Sequence, residues 1–383
     1  MSRHAERLDK LRHALRQEAL DLLLVSEGGN VTYLTGFRGD SAYLLLDQGH
    51  AWLIADGRYT EQAAAEAPQC EVVRQTASLV KSSAELANAS GGKTLGFEPN
   101  VLTVATHGDL TKELQGVEAV PKKGLVEKQR QVKDEEEIER IRAAVALADA
   151  AFRSVVGGVS IVGGVATRRV SRDGDIPPTG GLAAGVSEAQ VANHLEYEMR
   201  RLGARKPSFE SIVAARQRSS LPHAQATHAA IGAGDPVLID WGAELDLYCS
   251  DCTRMAFLGA PDARWREIYE IVREAQALAI AAIRAGVAGR DVDAAARTHI
   301  TQSGYGDAFK HGLGHGVGLR VHEGPTLSAR SEDTLAEGMV VTVEPGIYIA
   351  GWGGVRIEDL AVVRSDGPEV LSSLPKALEA AIL

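Results

Sequence analysis

The chain has 383 residues, 45% hydrophobic and 24% charged, with a formal net charge of −10. That length exceeds one ordinary core and asks for two domains, and the acidic balance argues against general nucleic-acid binding, which needs a basic face. No apolar run reaches about 18 residues, so no membrane span is expected, and three cysteines (Cys70, Cys249, Cys252) cannot build a disulfide framework, which suits a reducing cytoplasm.

The opening MSRHAERLDKLRHALRQEAL is charged throughout and lacks the apolar core of a signal segment. Leu8, Leu11 and Leu15 form one stripe of an amphipathic helix. Short apolar runs bounded by turn residues, LDLLLVS (20–26), SAYLLLD (41–47) and HAWLIAD (50–56), predict strands. RYTEQAAAEA (58–67) predicts a helix, so residues 1–130 are expected to be an α/β domain.

The second domain, 131–383, begins with a helix over 134–156. Its acidic start, Asp134 to Glu137, suits the positive end of a helix dipole, and Ile138, Ile141, Val145 and Phe152 carry its apolar stripe. The stretch 156–183 is rich in glycine and proline and predicts a long, mobile surface loop. Ser187 and Gln190 fit a capping box for a helix over 188–203. A strand pair follows near 236–258, then helices over 262–285 and 291–303, then a second strand pair near 339–363. Helix, helix, hairpin, twice over, suggests a duplicated α+β unit.

Two strand-like runs carry acids where apolar residues are expected. In VLIDWGAELDLYCSDCTRMAF, a hairpin centred between Leu245 and Asp246 sets Asp240 opposite Asp251. In MVVTVEPGIYIAGWGGVRIEDLAVV, a turn at GWGG sets Glu344 opposite Glu358, with Asp359 on the other face. Facing like charges destabilise a sheet, so something positive is expected between them. Salt-bridged structural acids are the competing reading. Four negatives match two divalent cations, which at about 3.5–4 Å repel by roughly 19 kcal/mol at an effective dielectric of about 20. Several carboxylates are needed to hold them.

The stretch HGLGHGVGLRVHEGP (311–325) adds three histidines. Its glycines each cost about 1 kcal/mol relative to alanine in a helix, so a zinc-gripping helix is excluded. On an extended backbone His311 and His315 share a face, and His322 falls on the other unless the loop bends. Structural histidines in a glycine-rich loop remain the alternative. His315, between two glycines, is the single imidazole ligand proposed, and the mostly oxygen donor set favours Mn²⁺, Co²⁺ or Fe²⁺ over structural zinc. Cys249 and Cys252 form an isolated CxxC, read as structural.

The motifs IDWG, SDCTR, GHGVG, EPGIY and VRIED occur in this order and resemble the pita-bread metallopeptidases, which include methionine aminopeptidase, prolidase and aminopeptidase P. NVTYLTGFRG (30–39) resembles the creatinase-type N-terminal domain of the Xaa-Pro branch. The resemblance implies a creatinase-like α/β domain followed by an α+β pita-bread catalytic domain. It implies a dinuclear site with Asp240, Asp251, His315, Glu344 and Glu358 as ligands, Mn²⁺ first, with Co²⁺, Fe²⁺ or Zn²⁺ also compatible. His223, in LPHAQATH, and His322, in VHEGP, match the two active-site histidines of the Xaa-Pro peptidases. His311, Tyr348 and Arg356 are expected to bind substrate or orient ligands. His228 is expected to be plain surface.

The implied activity is hydrolysis of the first bond of peptides with proline second, by a hydroxide bridging the ions, with Glu344 carrying the proton. Several prolidases carry an arginine just after the HExP segment; Thr326 stands there in this sequence and favours an Xaa-Pro aminopeptidase over an Xaa-Pro dipeptidase. A creatinase-like hydrolase or a peptide-binding module is the remote alternative, which intact ligands oppose. A homodimer is expected from the resemblance alone.

Overall fold

The computed structural model describes residues 2–157 and 181–383, with the backbone alone of 159–162 and 165–168 between them. Two units divide the chain, Met1–Arg130 and Gln131–Leu383.

The first unit opens with helix α1 (Arg3–Gln17), capped by the Ser2 hydroxyl on the Ala5 N–H, with Leu8, Leu11 and Leu15 buried. The three predicted strands are β1 (Leu22–Val25), β2 (Ala42–Leu46) and β3 (Ala51–Ala55). Between β1 and β2 lies α2 (Gly28–Thr35), a helix that two leading glycines and β-branched residues conceal from sequence. The Glu27 carboxylate caps it at the Asn30 N–H, and Gly36 ends it at φ 81°. The predicted helix over 58–67 is α3 (Thr60–Glu66). Then follow β4 (Glu71–Arg74), α4 (Leu79–Ser90), β5 (Thr94–Phe97), α5 (Val104–Glu113), β6 (Glu118–Pro121) and α6 (Leu125–Gln131). The strands form one mixed sheet in the order β4-β3-β2-β1-β5-β6. Leu22, Leu24, Leu45, Ile54 and Leu95 meet Ala84, Ala87 and Leu110 of the helices in its core.

The second unit begins with α7 (Glu135–Val156), closed at its start by a full capping box between Asp134 and Glu137. The expectation of one loop over 156–183 needs correction. Val156 still belongs to α7, and β7 (Val159–Val162) pairs antiparallel with β8 (Val165–Arg168). Both runs are rich in β-branched residues, which favour a pleated strand over a loop. Residues 158, 163–164 and 169–180 of that stretch lie outside the described residues.

Next comes α8 (Glu188–Arg201), with the predicted Ser187–Gln190 capping box in place. Strands β9 (Lys206–Pro207), β10 (Ile212–Ala215), β11 (Pro236–Trp241), β12 (Ala243–Leu245), β13 (Tyr248–Cys249) and β14 (Cys252–Phe257) follow. Helices α9 (Ala263–Ala282) and α10 (Gly289–Gln302) then precede β15 (Gly314–Gly316), β16 (Glu323–Leu327), β17 (Val340–Val343), β18 (Gly346–Ile349), β19 (Gly353–Arg356), β20 (Asp359–Val363) and β21 (Pro368–Val370). Sheets β10-β11-β14 and β16-β15-β17-β20-β21 carry the acid-bearing strands. No helix among the described residues is long and apolar enough to cross a membrane.

Trp241 anchors β11 to α7. Its indole lies 4.3 Å from the Phe152 ring at 7°, and its Nε1–H donates to the Ala148 carbonyl at 3.0 Å. Trp241→Ala removes both the ring and that bond from a fully buried place, and is expected to cost about 3–5 kcal/mol. A urea midpoint unchanged from the parent protein refutes this.

Candidate metal centre

A cavity of about 470 Å³ opens in the second unit, and every predicted site residue except Tyr348 lines it. Asp240 projects from β11, and Asp251 from the link between β13 and β14. The predicted register of this pair needs correction: Asp240 faces Thr253, not Asp251. The turn falls at Asp246 and Leu247, at φ 47° and 75°, one residue later than the sequence suggests. A left-handed pair without glycine gives little warning in sequence. The displacement is two residues along the partner strand, so Asp251 keeps the face of Thr253 and still reaches Asp240.

Glu344 and Glu358 follow the predicted register. Val343 pairs with Asp359 on one side of them and Gly346 with Arg356 on the other, which sets the two glutamates opposite each other. Asp359 turns to the far face and bonds Arg254 at 2.7 Å. One carboxylate oxygen from each of Asp240, Asp251 and Glu358 lies within 4.8 Å of the other two. His315, the middle residue of β15, brings its Nε2 to 3.2 Å from Glu344 and 3.8 Å from Asp251. Its Nδ1 lies 3.1 Å from the Gly316 carbonyl, which leaves Nε2 free to face the acids.

Two threonines that sequence reading missed hold the acids in place. The Thr253 hydroxyl donates to Glu358 at 2.7 Å and accepts from Arg356 at 2.9 Å. The Thr342 hydroxyl accepts from the His315 N–H at 3.0 Å and donates to Glu344 at 3.1 Å. Each stands two residues from an acid on a strand, and that alternation is the signal that could have found them.

The charge balance is strained. Burial, then the negative charges of Glu358, Asp240 and Glu344, pushes Asp251 well above the usual carboxylate range. Burial and the charges of Glu344 and Asp240 do the same to Glu358. Asp240 is raised by burial, against the pull of Arg356, whose guanidinium lies 2.6 Å away. Glu344 goes the other way: burial is outweighed by the His315 hydrogen bond and charge, which hold it down to about 2. His315 is raised in turn, the Glu344 bond outweighing burial. Oδ1 of Asp240 and Oε1 of Glu358 are buried with no hydrogen-bond partner. Buried carboxylate oxygens without a donor are costly. Three converging acids, two orphaned oxygens and an imidazole are a donor set that divalent cations fit.

The other predicted residues surround this set. His322, exposed, stacks edge-on against His315 at 4.3 Å, so the loop does bend and brings it back to the same cavity. His223 lies exposed in a loop on the cavity wall. His311 Nε2 lies 2.9 Å from the Tyr348 hydroxyl, which accepts from Arg356 at 2.8 Å. Burial lowers His311; burial and the His315 charge lower His322. Burial pushes Tyr348 up to about 12 despite Arg356 beside it. His228 is exposed, and Cys249 and Cys252 are buried free thiols raised by burial.

The chain is similar over its full extent to known proteins. It is 41% identical to an uncharacterized peptidase of Bacillus subtilis, over 97% of this chain and 99% of that one. The structure matches an Xaa-Pro dipeptidase from Bacillus anthracis with a TM-score of 0.91 and 39% identity, covering 99% and 100% of the two chains. It also matches an X-Pro aminopeptidase from Thermotoga maritima with a TM-score of 0.83 and 34% identity, covering 97% and 99%. Residues 139–365 match Metallopeptidase family M24, and residues 7–132 match the Creatinase/Prolidase N-terminal domain. The chain therefore belongs to metallopeptidase family M24, with a pita-bread catalytic domain behind a creatinase-type N-terminal domain.

Proposed function

We propose that this metallopeptidase hydrolyses the bond between an N-terminal residue and a following proline. The observation that carries it is the convergence of Asp240, Asp251 and Glu358 with His315 and Glu344 on one cavity that also takes in His223 and His322. Asp240, Asp251, His315, Glu344 and Glu358 would hold two divalent ions, Mn²⁺ in our reading. Such ions supply Lewis acidity to the peptide carbonyl and lower the pKa of water.

The chain's own groups then do the rest. Glu344 takes a proton from the attacking water as its oxygen bonds the carbonyl carbon. The C–N bond breaks, and Glu344 returns the proton to the proline nitrogen, which as a tertiary amide carries none. Imidazole N–H groups of His223 and His322 donate to the developing oxyanion. Arg356 fixes the Asp240 carboxylate, and Tyr348 orients His311. The homodimer expected from the resemblance, and the reducing cytoplasm expected from three cysteines, are part of the same proposal.

Two substrate lengths fit. The dipeptidase reading is supported by the name of the Bacillus anthracis structure. The aminopeptidase reading is supported by the cavity wall: Arg356 is its one lysine or arginine among the described residues, and it is already bonded to Asp240 and Tyr348. Thr326 does not line the wall and bonds Asp333 and Ser331 instead. Metal-stripped protein reloaded with Mn²⁺ and given Ala-Pro and Ala-Pro-Ala in parallel separates the two. Alanine release from the tripeptide at a comparable or higher rate establishes an aminopeptidase. Release from the dipeptide only establishes a dipeptidase. Silence on both rejects the proposal.

A further inference from the structure

His223 stands on a stretch of chain with little structure of its own. Between Ala215, the end of β10, and Thr227 there is one short 3₁₀ turn, Arg216–Ser220. Pro222, His223, Ala224 and Gln225 then line the cavity. Loops of this kind are positioned by what ties their ends.

One carboxylate ties both. Glu188, the first residue of α8, is fully buried. Its Oε1 accepts from the Ala215 N–H at 2.9 Å, where the loop departs. Its Oε2 accepts from the Thr227 N–H at 3.0 Å and the Thr227 hydroxyl at 2.7 Å, where the loop returns. Arg218, inside the loop, donates Nε to Glu188 at 2.9 Å and reaches across to the Gln225 carbonyl. The tip is held separately by Arg356, which donates to the Pro222 carbonyl at 3.2 Å. The N-terminal end of α8 favours negative charge at position 188. A buried carboxylate with one guanidinium and three further donors has its desolvation offset only while all of them are in place.

We propose that Glu188 is a positioning residue for His223: its carboxylate closes the 215–227 loop at the base and sets where the imidazole stands over the cavity. This rests on the Xaa-Pro peptidase reading, in which His223 touches substrate.

The test is a double-mutant cycle on the full chain loaded with Mn²⁺, using Glu188→Gln, His223→Ala and both together, with kcat and KM measured on whichever Ala-Pro peptide the parent cleaves. Glu188→Gln is expected to lower kcat/KM by about tenfold in the parent and less than about twofold when His223 is already alanine. Mn²⁺ affinity is expected to stay unchanged, which a general disturbance of the fold would not allow. An equal loss in both backgrounds overturns the proposal. Should Glu188→Gln fail to fold, Arg218→Lys, which keeps a cation beside the buried carboxylate and removes the guanidinium that bridges to the Gln225 carbonyl, runs the same cycle under the same criteria. Should the parent cleave no Xaa-Pro peptide, the functional reading fails by itself. Hydrogen exchange then decides the loop: acceleration in Glu188→Gln confined to 216–227 supports the base closure, and unchanged exchange there overturns it.

Discussion

Glu344→Gln is expected to lower kcat/KM toward Xaa-Pro peptides by about a thousandfold, with the fold intact. The substitution keeps shape and leaves an amide oxygen that can still accept the Thr342 hydroxyl. It removes the negative charge that draws the His315 imidazole to 3.2 Å, and it removes the group that accepts and returns the proton. Circular dichroism, bound Mn²⁺ per chain and kcat on the cleaved peptide together read the result. Full turnover with full metal would sink the proton-carrying role. Lost turnover together with lost metal would assign Glu344 to holding the ions alone.

Metal is expected to stabilise the protein more as pH rises. Burial, and then mutual repulsion or the charge of Glu344, raises the carboxyls of Asp240, Asp251 and Glu358 in the metal-free fold. The unfolded chain releases the same protons near pH 4. Between that pH and the raised values the folded state binds more protons than the unfolded one, so the metal-free protein loses stability as pH rises. Divalent ions need the same carboxylates deprotonated, so their affinity climbs over that window. At a hundredfold excess over Kd the stabilisation is about 3 kcal/mol. Calorimetry with and without Mn²⁺ at about pH 5.5 and about pH 8 tests the sign. A gap in Tm that is flat, or narrows with pH, contradicts the account.

The site was more legible than the path of the chain through it. An acid within an apolar run signals itself, because burial without a partner is expensive. Register followed where the turn did. The turn between β18 and β19 is centred on Gly351, at φ 75°, and the Glu344–Glu358 pairing came out as read. Asp246 and Leu247 adopt positive φ without glycine, and the Asp240–Asp251 pairing was misread by two residues. His322 reaches the cavity because the loop bends: alternation holds only while a strand stays extended, and β15 is three residues long. Glu188 was invisible as a site residue for another reason. At the start of a helix a glutamate is ordinary, and its partners lie 27 to 39 residues away.

The glycines around His315 also limit how this enzyme can diverge. A methyl group at Gly314 would collide with the Thr342 carbonyl, and one at Gly316 with the Gly324 carbonyl. Both obstacles are backbone, which cannot step aside as a side chain can. Variation in β15 is therefore closed to drift and to laboratory selection alike. The wall at Phe209–Ile212 and the 222–225 loop are cavity surfaces with no such restriction at Glu210 and Gln225, which are exposed. Descendants with new peptide preferences should carry their changes at those two positions, and a mutant library aimed at substrate range is best confined to Glu210 and Gln225.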